Sequence, residues 1–150
     1  MSQTRAKHTF WGWSSISRPD LSNNPLNLAW TGRNYHLYFA NSTDGVHWTM
    51  PSSSPLAHQS AWAPSMFEFS AVTPDHWLAW TGSGTTSTRN LNVQYTQHYP
   101  NWSDPGSTAT FGETAISSPE LAAYGYQVLL AWTGTDSAHR LNVAVVSVTS

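Results

Sequence analysis

The sequence predicts an all-β fold built from three copies of one unit. The pentapeptide Leu-Ala-Trp-Thr-Gly occurs at Leu28–Gly32, Leu78–Gly82 and Leu130–Gly134, at spacings of 50 and 52 residues. Short alternating segments rich in Val, Leu, Thr and aromatic residues surround each copy, which is typical of β-strands. No segment keeps apolar residues at helical spacing over about ten residues, so no substantial helix is expected.

Each repeat offers four segments with strand character. One begins at a proline before the pentapeptide, the second is the pentapeptide strand itself, and the third follows it. The fourth lies before each proline, at Thr9-Phe10, Pro55-Leu56 and Thr110-Phe111. Within the pentapeptide, alternate residues point to opposite faces of a sheet. Large residues such as Leu28 and Trp30 fall on one face and the smaller Ala29 and Thr31 on the other, which suits a strand packed between two neighbouring sheets.

Four strands in about 50 residues, repeated along a chain, predict a β-propeller of four-stranded antiparallel blades. We treat 1–150 as a single repeat domain with three blades, from repeats at approximately 7–53, 54–108 and 109–150. A β-trefoil, which also has three repeats of similar length, is the alternative fold. The propeller is favoured because the pentapeptide strand needs a sheet packed on each of its faces.

The repeats are offset from the predicted blades. The last repeat ends after its third strand, Leu141–Val148, and the missing fourth strand is found near the N-terminus as Lys7–Phe10. We expect this segment to complete the last blade of a partner chain. Propellers have typically four to eight blades, so two chains would form a six-bladed homodimer closed by this exchange. The alternative is that the sequence is one part of a longer array.

The composition excludes several functions. Charged residues are 9% of the chain, with six basic and eight acidic, which argues against a nucleic-acid groove or a polybasic membrane patch. There is no cysteine, so disulfides and thiolate metal sites are excluded. No run of 18 apolar residues predicts a membrane span, and no apolar leader is found near the N-terminus. The compartment is left open between the cytoplasm and secretion by another route.

The repeat and one turn resemble known proteins. The repeated Leu-Ala-Trp-Thr-Gly…Leu-Asn-Val pattern covers nearly the whole chain and resembles the tandem repeats of bacterial propeller proteins of the lectin and sialidase-like kind. Ser42–Trp48 resembles the Asp-box hairpin of sialidases, without the residue usually found between its Asp and its Gly. In those families the hairpin is structural. Small propeller lectins built from short chains bind sugars between adjacent blades, so the resemblance implies a multivalent glycan-binding ring.

Catalysis and metal binding are not expected. Glycoside hydrolysis generally needs two carboxylates at a set separation, whereas the eight acidic residues are scattered along the chain. The tyrosine and arginine cluster of sialidases is not evident among five arginines. The seven histidines lack the paired spacing of zinc sites. We predict no enzyme activity, no cofactor and no metal site, with a degenerate glycoside hydrolase as an alternative.

Sugar binding needs an aromatic plate and a few polar groups. Trp30, Trp80 and Trp132 recur in register in the three repeats, so we assign them to packing. The better candidates are aromatics that do not recur in register: Trp11, Trp13, Trp62, Trp77, Trp102 and Tyr124. Trp13 and Trp62 lie in the segment before the repeated proline, where we expect exposed loops.

Polar residues in similar places complete the predicted site. Asp20 and Glu120 directly follow two of the repeated prolines, and Arg89 and Arg140 precede two of the third strands. An arginine, a carboxylate and a tryptophan at a blade boundary could hold the hydroxyls of a sugar, although an ordinary loop ion pair would use the same residues. The predicted ligand-binding residues are Trp13, Trp62, Trp77, Asp20, Glu120, Arg89 and Arg140.

The sequence therefore predicts a non-enzymatic, lectin-like propeller that binds glycans at several sites in loops or between blades. The identity of the sugar is not predicted. The main alternative is a structural or protein-binding propeller, because a fold does not determine its ligand.

Overall fold

The computed structural model describes residues 12–22, 26–70, 74–85, 88–102 and 108–146, and it is an all-β protein, as predicted. Within these ranges, ten strands form three antiparallel sheets. The first sheet consists of β1 (Asp20–Ser22), β2 (Leu26–Thr31) and β3 (Leu37–Ser42). The second consists of β4 (Ser65–Ser70), β5 (Pro74–Thr81), β6 (Asn90–Thr96) and β7 (Thr108–Thr114). The third consists of β8 (Glu120–Tyr124), β9 (Gln127–Thr133) and β10 (Leu141–Val146).

The three sheets pair their strands in the same register. The residue after each repeated proline lies opposite the alanine of the pentapeptide, in the pairs Asp20–Ala29, Ser65–Ala79 and Glu120–Ala131. The threonine of the pentapeptide lies opposite the leucine of the third strand, in the pairs Thr31–Leu37, Thr81–Leu91 and Thr133–Leu141. Positions can therefore be compared from sheet to sheet, and we call residues at the same place in this register equivalent.

The second sheet separates two apolar cores, so both of its faces are buried. On one side, its residues Met66, Leu78 and Trp80 share a core with Ala29, Leu37 and Phe39 of the first sheet. On the other side, its residues Trp77, Ala79, Leu91 and Val93 share a core with Leu121, Val128 and Leu130 of the third sheet. The three sheets therefore stack in a row, with the pentapeptide strand of the second sheet at the centre.

Of the repeated tryptophans, Trp80 lies in the first core and Trp132 packs against the second, as predicted, whereas Trp30 lies on the outer face of the first sheet. Trp30 and Trp80 are buried, and Trp132 is half-buried against the second core. Thr31 and Thr81 are also buried, but their hydroxyls have partners in the next repeat. Thr31 donates to the carbonyl oxygen of Trp62 at 2.5 Å. Burial of a polar group costs little when its hydrogen bond is satisfied in this way.

The fourth segment of each repeat differs between the sheets. The segment predicted at Thr110-Phe111 is β7, which pairs with β6. The segment near Leu56 pairs only briefly with β3, through a bond of 2.9 Å from its N–H to the carbonyl oxygen of Leu37. In the third sheet, β10 forms the edge of the described part. The strand predicted to cover that edge, Lys7–Phe10, lies outside the described residues.

The Asp-box-like turn is held by the carboxylate of Asp44. One oxygen accepts the N–H groups of Val46 and His47 at 2.8 Å each, and the other lies 2.7 Å from Nδ1 of His47. The His47 side-chain bond, followed by these backbone bonds, holds the pKa of Asp44 well below its usual range. Gly45 has a φ of 74°, which favours glycine. Asp44 therefore has a structural partner for each oxygen.

No helix in the described ranges is long and apolar enough to cross a membrane.

Replacement of Trp80 by alanine tests the core assignment. Trp80 is only 2% exposed, so we expect the change to lower the free energy of unfolding by roughly 3–5 kcal/mol, measured by chemical denaturation. Tyr126→Ala is the control, because Tyr126 is exposed and its loss should change stability by no more than about 0.5 kcal/mol. Equal stability of Trp80→Ala and the wild type would contradict the assignment.

Candidate ligand-binding site

Three aromatic rings stand in a row on the face of the first sheet that points away from the second sheet. Trp13 stacks on Trp30 with ring centroids 5.2 Å apart, and Trp30 stacks on Tyr38 with centroids 5.5 Å apart. Trp30 and Tyr38 lie directly opposite each other on β2 and β3, so the strand register places their rings together. Trp13 comes from the loop before β1. Trp30 is buried in the middle, while Trp13 and Tyr38 remain half-buried.

A pocket of about 210 Å³ opens beside this aromatic row. Its wall is completed by Arg33 and Asn34 from the turn after the first pentapeptide. The Asn34 amide donates to the Tyr38 hydroxyl at 3.0 Å, and its oxygen accepts the N–H of His36 at 3.3 Å. The pocket therefore combines two partly open aromatic side chains with an amide held in position and an exposed guanidinium.

The turn at Gly32 shapes the same pocket. A Cβ atom at Gly32 would lie 2.4 Å from the ring of Tyr38, so any larger residue would displace that ring. Glycine at the end of the pentapeptide therefore allows the turn to pass close to the aromatic row.

A second aromatic and cationic pair lies at the corresponding end of the second sheet. The guanidinium of Arg89 lies 4.6 Å from the ring centroid of Trp62, a cation–π contact worth roughly 0.5–1 kcal/mol at an exposed site. Nε of Arg89 donates to the carbonyl oxygen of Gly84 at 3.0 Å. Ser60 positions the loop, since its hydroxyl donates to the carbonyl oxygen of Trp62 at 2.8 Å. The structure thus brings together two predicted site residues, Trp62 and Arg89.

Two predicted aromatic candidates are instead core residues. Trp77 is buried in the second core, between its cross-strand neighbours Phe67 and Tyr95. Trp102 is buried in the first core, where its ring meets Phe39 edge-on at 6.0 Å. The burial of Trp77 could have been predicted from the alternation of β5, because Trp77 and the core residue Ala79 are two residues apart and point to the same face. Trp11 lies outside the described residues.

The two predicted carboxylates lie away from the aromatic pocket. Asp20 accepts the backbone N–H of Met66 at 2.6 Å and so connects the first and second sheets. Glu120 forms an exposed ion pair with Arg18 at 3.4 Å. Both line a cavity of about 340 Å³ where β1, β4 and β8 approach one another. Their role in sugar contact at the aromatic pocket is not supported by this placement.

Arg140 lies in the turn after the third pentapeptide. Its side chain is exposed, and its carbonyl oxygen accepts the N–H of Gly134 and the Asn142 amide at 2.9 Å each. The seven predicted site residues therefore do not converge on one place. Sequence reasoning missed Tyr38 and Asn34. Tyr38 could have been found as a departure from the repeat, because its equivalents are Asn92 and Asn142.

A group of titratable side chains includes Glu68, which lines the same cavity of about 340 Å³, and the buried His76. Nε2 of His76 lies 3.9 Å from the Glu68 carboxylate, and the His76 ring stacks on Tyr99 with centroids 4.2 Å apart. Burial raises the pKa of Glu68, and burial together with the charge of Glu68 raises the pKa of Tyr99. Within the described ranges, no group of three or more His, Cys, Asp or Glu side chains could hold a metal ion.

Comparisons of the chain with protein-family models, with curated proteins and with solved structures find no match. The candidate site is therefore interpreted from its own chemistry.

The raised pKa of Glu68 predicts a pH dependence of stability. A carboxyl whose folded pKa is above its ordinary value of 4.5 favours the folded state most when protonated. Its contribution is present below pH 4.5 and is lost as the pH rises through the folded pKa. We expect Glu68→Gln to be more stable than the wild type at neutral pH, with the difference vanishing in acid. Thermal melts across this pH range measure it.

Glu113→Gln is the matched control, since Glu113 is exposed and its replacement removes the same charge. If Glu113→Gln and Glu68→Gln show the same pH profile, burial of Glu68 is not the cause.

Proposed function

We propose that the chain is a non-enzymatic, lectin-like protein that binds carbohydrate in the pocket beside Trp13, Trp30 and Tyr38. The observation that carries this proposal is the aromatic row next to an open pocket lined by an amide and a guanidinium. Aromatic rings offer a flat apolar surface to the C–H face of a pyranose, and fixed polar groups meet its hydroxyls. Trp62 with Arg89 is a second candidate contact of the same chemistry.

The size of the pocket favours a small ligand. Its volume of about 210 Å³ is below the roughly 300–1,000 Å³ of pockets for drug-sized molecules. A single sugar ring, or the terminal sugar of a longer glycan, suits this volume. Asn34 can both donate and accept hydrogen bonds, and Arg33 adds donors at the rim.

We also propose that the three sheets are blades of a β-propeller. In support of this, β1 lies against β4 and β4 lies against β8, as expected for the innermost strands around a propeller axis. The face-to-face stacking of separate sheets favours this arrangement over the β-trefoil. Three blades are fewer than the usual four to eight, so we propose that the ring closes by self-association as a homodimer. Two copies of each pocket would then act together on multivalent glycans.

A second candidate function is protein binding, and one observation favours it. Tyr124 and Tyr126 are highly exposed at the turn between β8 and β9. Exposed tyrosines are frequent at the centres of protein interfaces. A partner protein would use this turn rather than the aromatic pocket.

Replacement of Trp13 by alanine tests the sugar site. The wild type is first screened on a glycan array, and the best ligand is measured by calorimetry. We expect Trp13→Ala to weaken binding roughly two- to tenfold, since an aromatic contact is worth roughly 0.5–1.5 kcal/mol. Its melting temperature should stay within a few degrees of the wild type. Trp62→Ala tests the second contact in the same way.

Tyr126→Ala is the control for both variants, because it removes an exposed aromatic ring that does not line the pocket. Absence of binding to fucosides, galactosides, N-acetylated sugars and sialosides would reject the proposal. A large fall in the melting temperature of Trp13→Ala would assign Trp13 to packing instead.

A further inference from the structure

The outer face of the third sheet exposes three apolar residues, two of which have buried equivalents in the second sheet. Leu141, Val143 and Val145 are 76%, 61% and 53% exposed. Leu91 and Val93, the equivalents of the first two in the second sheet, are only 1% and 2% exposed because the third sheet covers them. The corresponding face of the third sheet has no such cover within the described residues.

The outer face of the first sheet shows the complementary difference. Leu21 is exposed on β1, whereas its equivalents Met66 and Leu121 are buried in the two cores. In each core, the residue equivalent to Leu21 packs against the residues of the neighbouring sheet that are equivalent to Leu141 and Val143. The exposed face of the first sheet is therefore complementary to the exposed face of the third sheet.

We propose that a second copy of this chain covers both faces, with the third sheet of each copy packed on the first sheet of the other. The inference rests on the proposed propeller and names the surfaces and contacts that close it. We call this contact the seam. It is head-to-tail, and two copies with three sheets each would form two identical seams related by a two-fold axis.

One hydrogen bond that joins neighbouring sheets inside the chain has an equivalent donor and acceptor at the seam. The pentapeptide threonine donates to the carbonyl oxygen two residues before the next proline, from Thr31 to Trp62 at 2.5 Å and from Thr81 to Ser117 at 2.9 Å. The equivalent pair is Thr133 and Ser17. Across the seam, Thr133 would therefore donate to the carbonyl oxygen of the partner's Ser17.

A second bond gives Glu120 a specific role. The N–H groups of Met66 and Leu121 donate to side-chain oxygens of the preceding sheet, to Asp20 at 2.6 Å and to Ser65 at 3.0 Å. Glu120 is the equivalent of Asp20 and Ser65 in the third sheet. Its carboxylate would therefore accept the N–H of the partner's Leu21. The exposed ion pair of Glu120 with Arg18 contributes little, so it does not oppose this exchange.

A third bond would join Ser15 to the turn before β10 of the partner. The residue four positions before each proline donates its N–H to the turn before the third strand, in the pairs Ser60–Tyr35 at 2.8 Å and Ala115–Arg89 at 3.0 Å. The equivalent donor is Ser15, and the equivalent acceptor is His139. Ser15 of one copy would thus bond to His139 of the other, in the turn before β10.

The seam also borders the aromatic pocket. His36 and Gln59 form an isolated β-bridge inside the chain, and their equivalents are Arg140 and Ser14. Ser14 lines the pocket beside Trp13. The partner's Arg140 would therefore lie next to the sugar site, although it is remote from that site within one chain.

Cross-linking between two different variants tests the seam directly. The chain has no cysteine, so Leu21→Cys and Val143→Cys each introduce a single thiol. Their equivalents Met66 and Phe39 share one core. We expect a short bismaleimide to join the two variants after they are mixed and allowed to exchange. Leu21→Cys mixed with Val46→Cys is the control, because Val46 is also more than half exposed but lies on the Asp-box-like turn.

The mass in solution gives an independent readout by light scattering. We expect the wild type at about 33 kDa, twice the 16.6 kDa of one chain. Val143→Asp places a charge in the seam and should shift the mass to one chain, whereas Val46→Asp should leave it unchanged. A wild-type mass other than about 33 kDa overturns the two-copy seam, as does a Val143→Asp dimer with no cross-link between Leu21→Cys and Val143→Cys.

Sugar binding is measured on the same samples, so that the two proposals can be separated. A dimer that cross-links as expected but binds no glycan contradicts only the proposed sugar site. A protein that binds glycan through Trp13 but remains a single chain contradicts only the seam.

Discussion

Burial of both faces of the pentapeptide strand is the constraint on which the rest of the structure depends. A sheet of three or four short strands is not independently stable unless one of its faces is covered. In the second sheet, Leu78 and Trp80 fill one core while Ala79 lies in the other. The small alanine lets the side chains of the neighbouring sheet approach closely, and the large tryptophan fills the opposite space. This division explains why the pentapeptide recurs without change.

The same constraint determines where the polar groups of the repeat must bond. Burial on both faces also removes the threonine hydroxyls from water, so each needs a partner. Thr31 and Thr81 find theirs in the loop that enters the next sheet, and Asp20 and Ser65 accept backbone N–H groups from the next first strand. Apolar stacking and these bonds act between the same pairs of sheets. Within the described residues, the outer side of the third sheet, at the end of the row, makes neither kind of contact.

The candidate pocket lies where the repeat is broken. Tyr38 stands where the other sheets have asparagine. Trp13 is the equivalent of His58, whose ring centroid lies 5.0 Å from that of Trp80. Arg89 and Trp62 are likewise confined to the second repeat. Repeated residues such as Trp80 and Leu91 are held by packing in the cores, whereas residues that differ are not constrained by the repeat. The rule has an exception in Trp77, which differs between the repeats and still lies in a core.

The all-β class, the approximate strand positions and the packing role of Trp30 and Trp80 could be determined from the sequence by itself. These features depend on local alternation and on a repeated pattern, which are visible in one dimension. Only the tertiary structure decided that Trp13 stacks on Trp30, that Asp20 bonds to Met66, and that Trp77 is buried. Each of these contacts joins segments whose approach depends on how loops turn and how sheets stack. A loop residue such as Trp13 has no periodicity to reveal its neighbour, so its place follows from the packing around it.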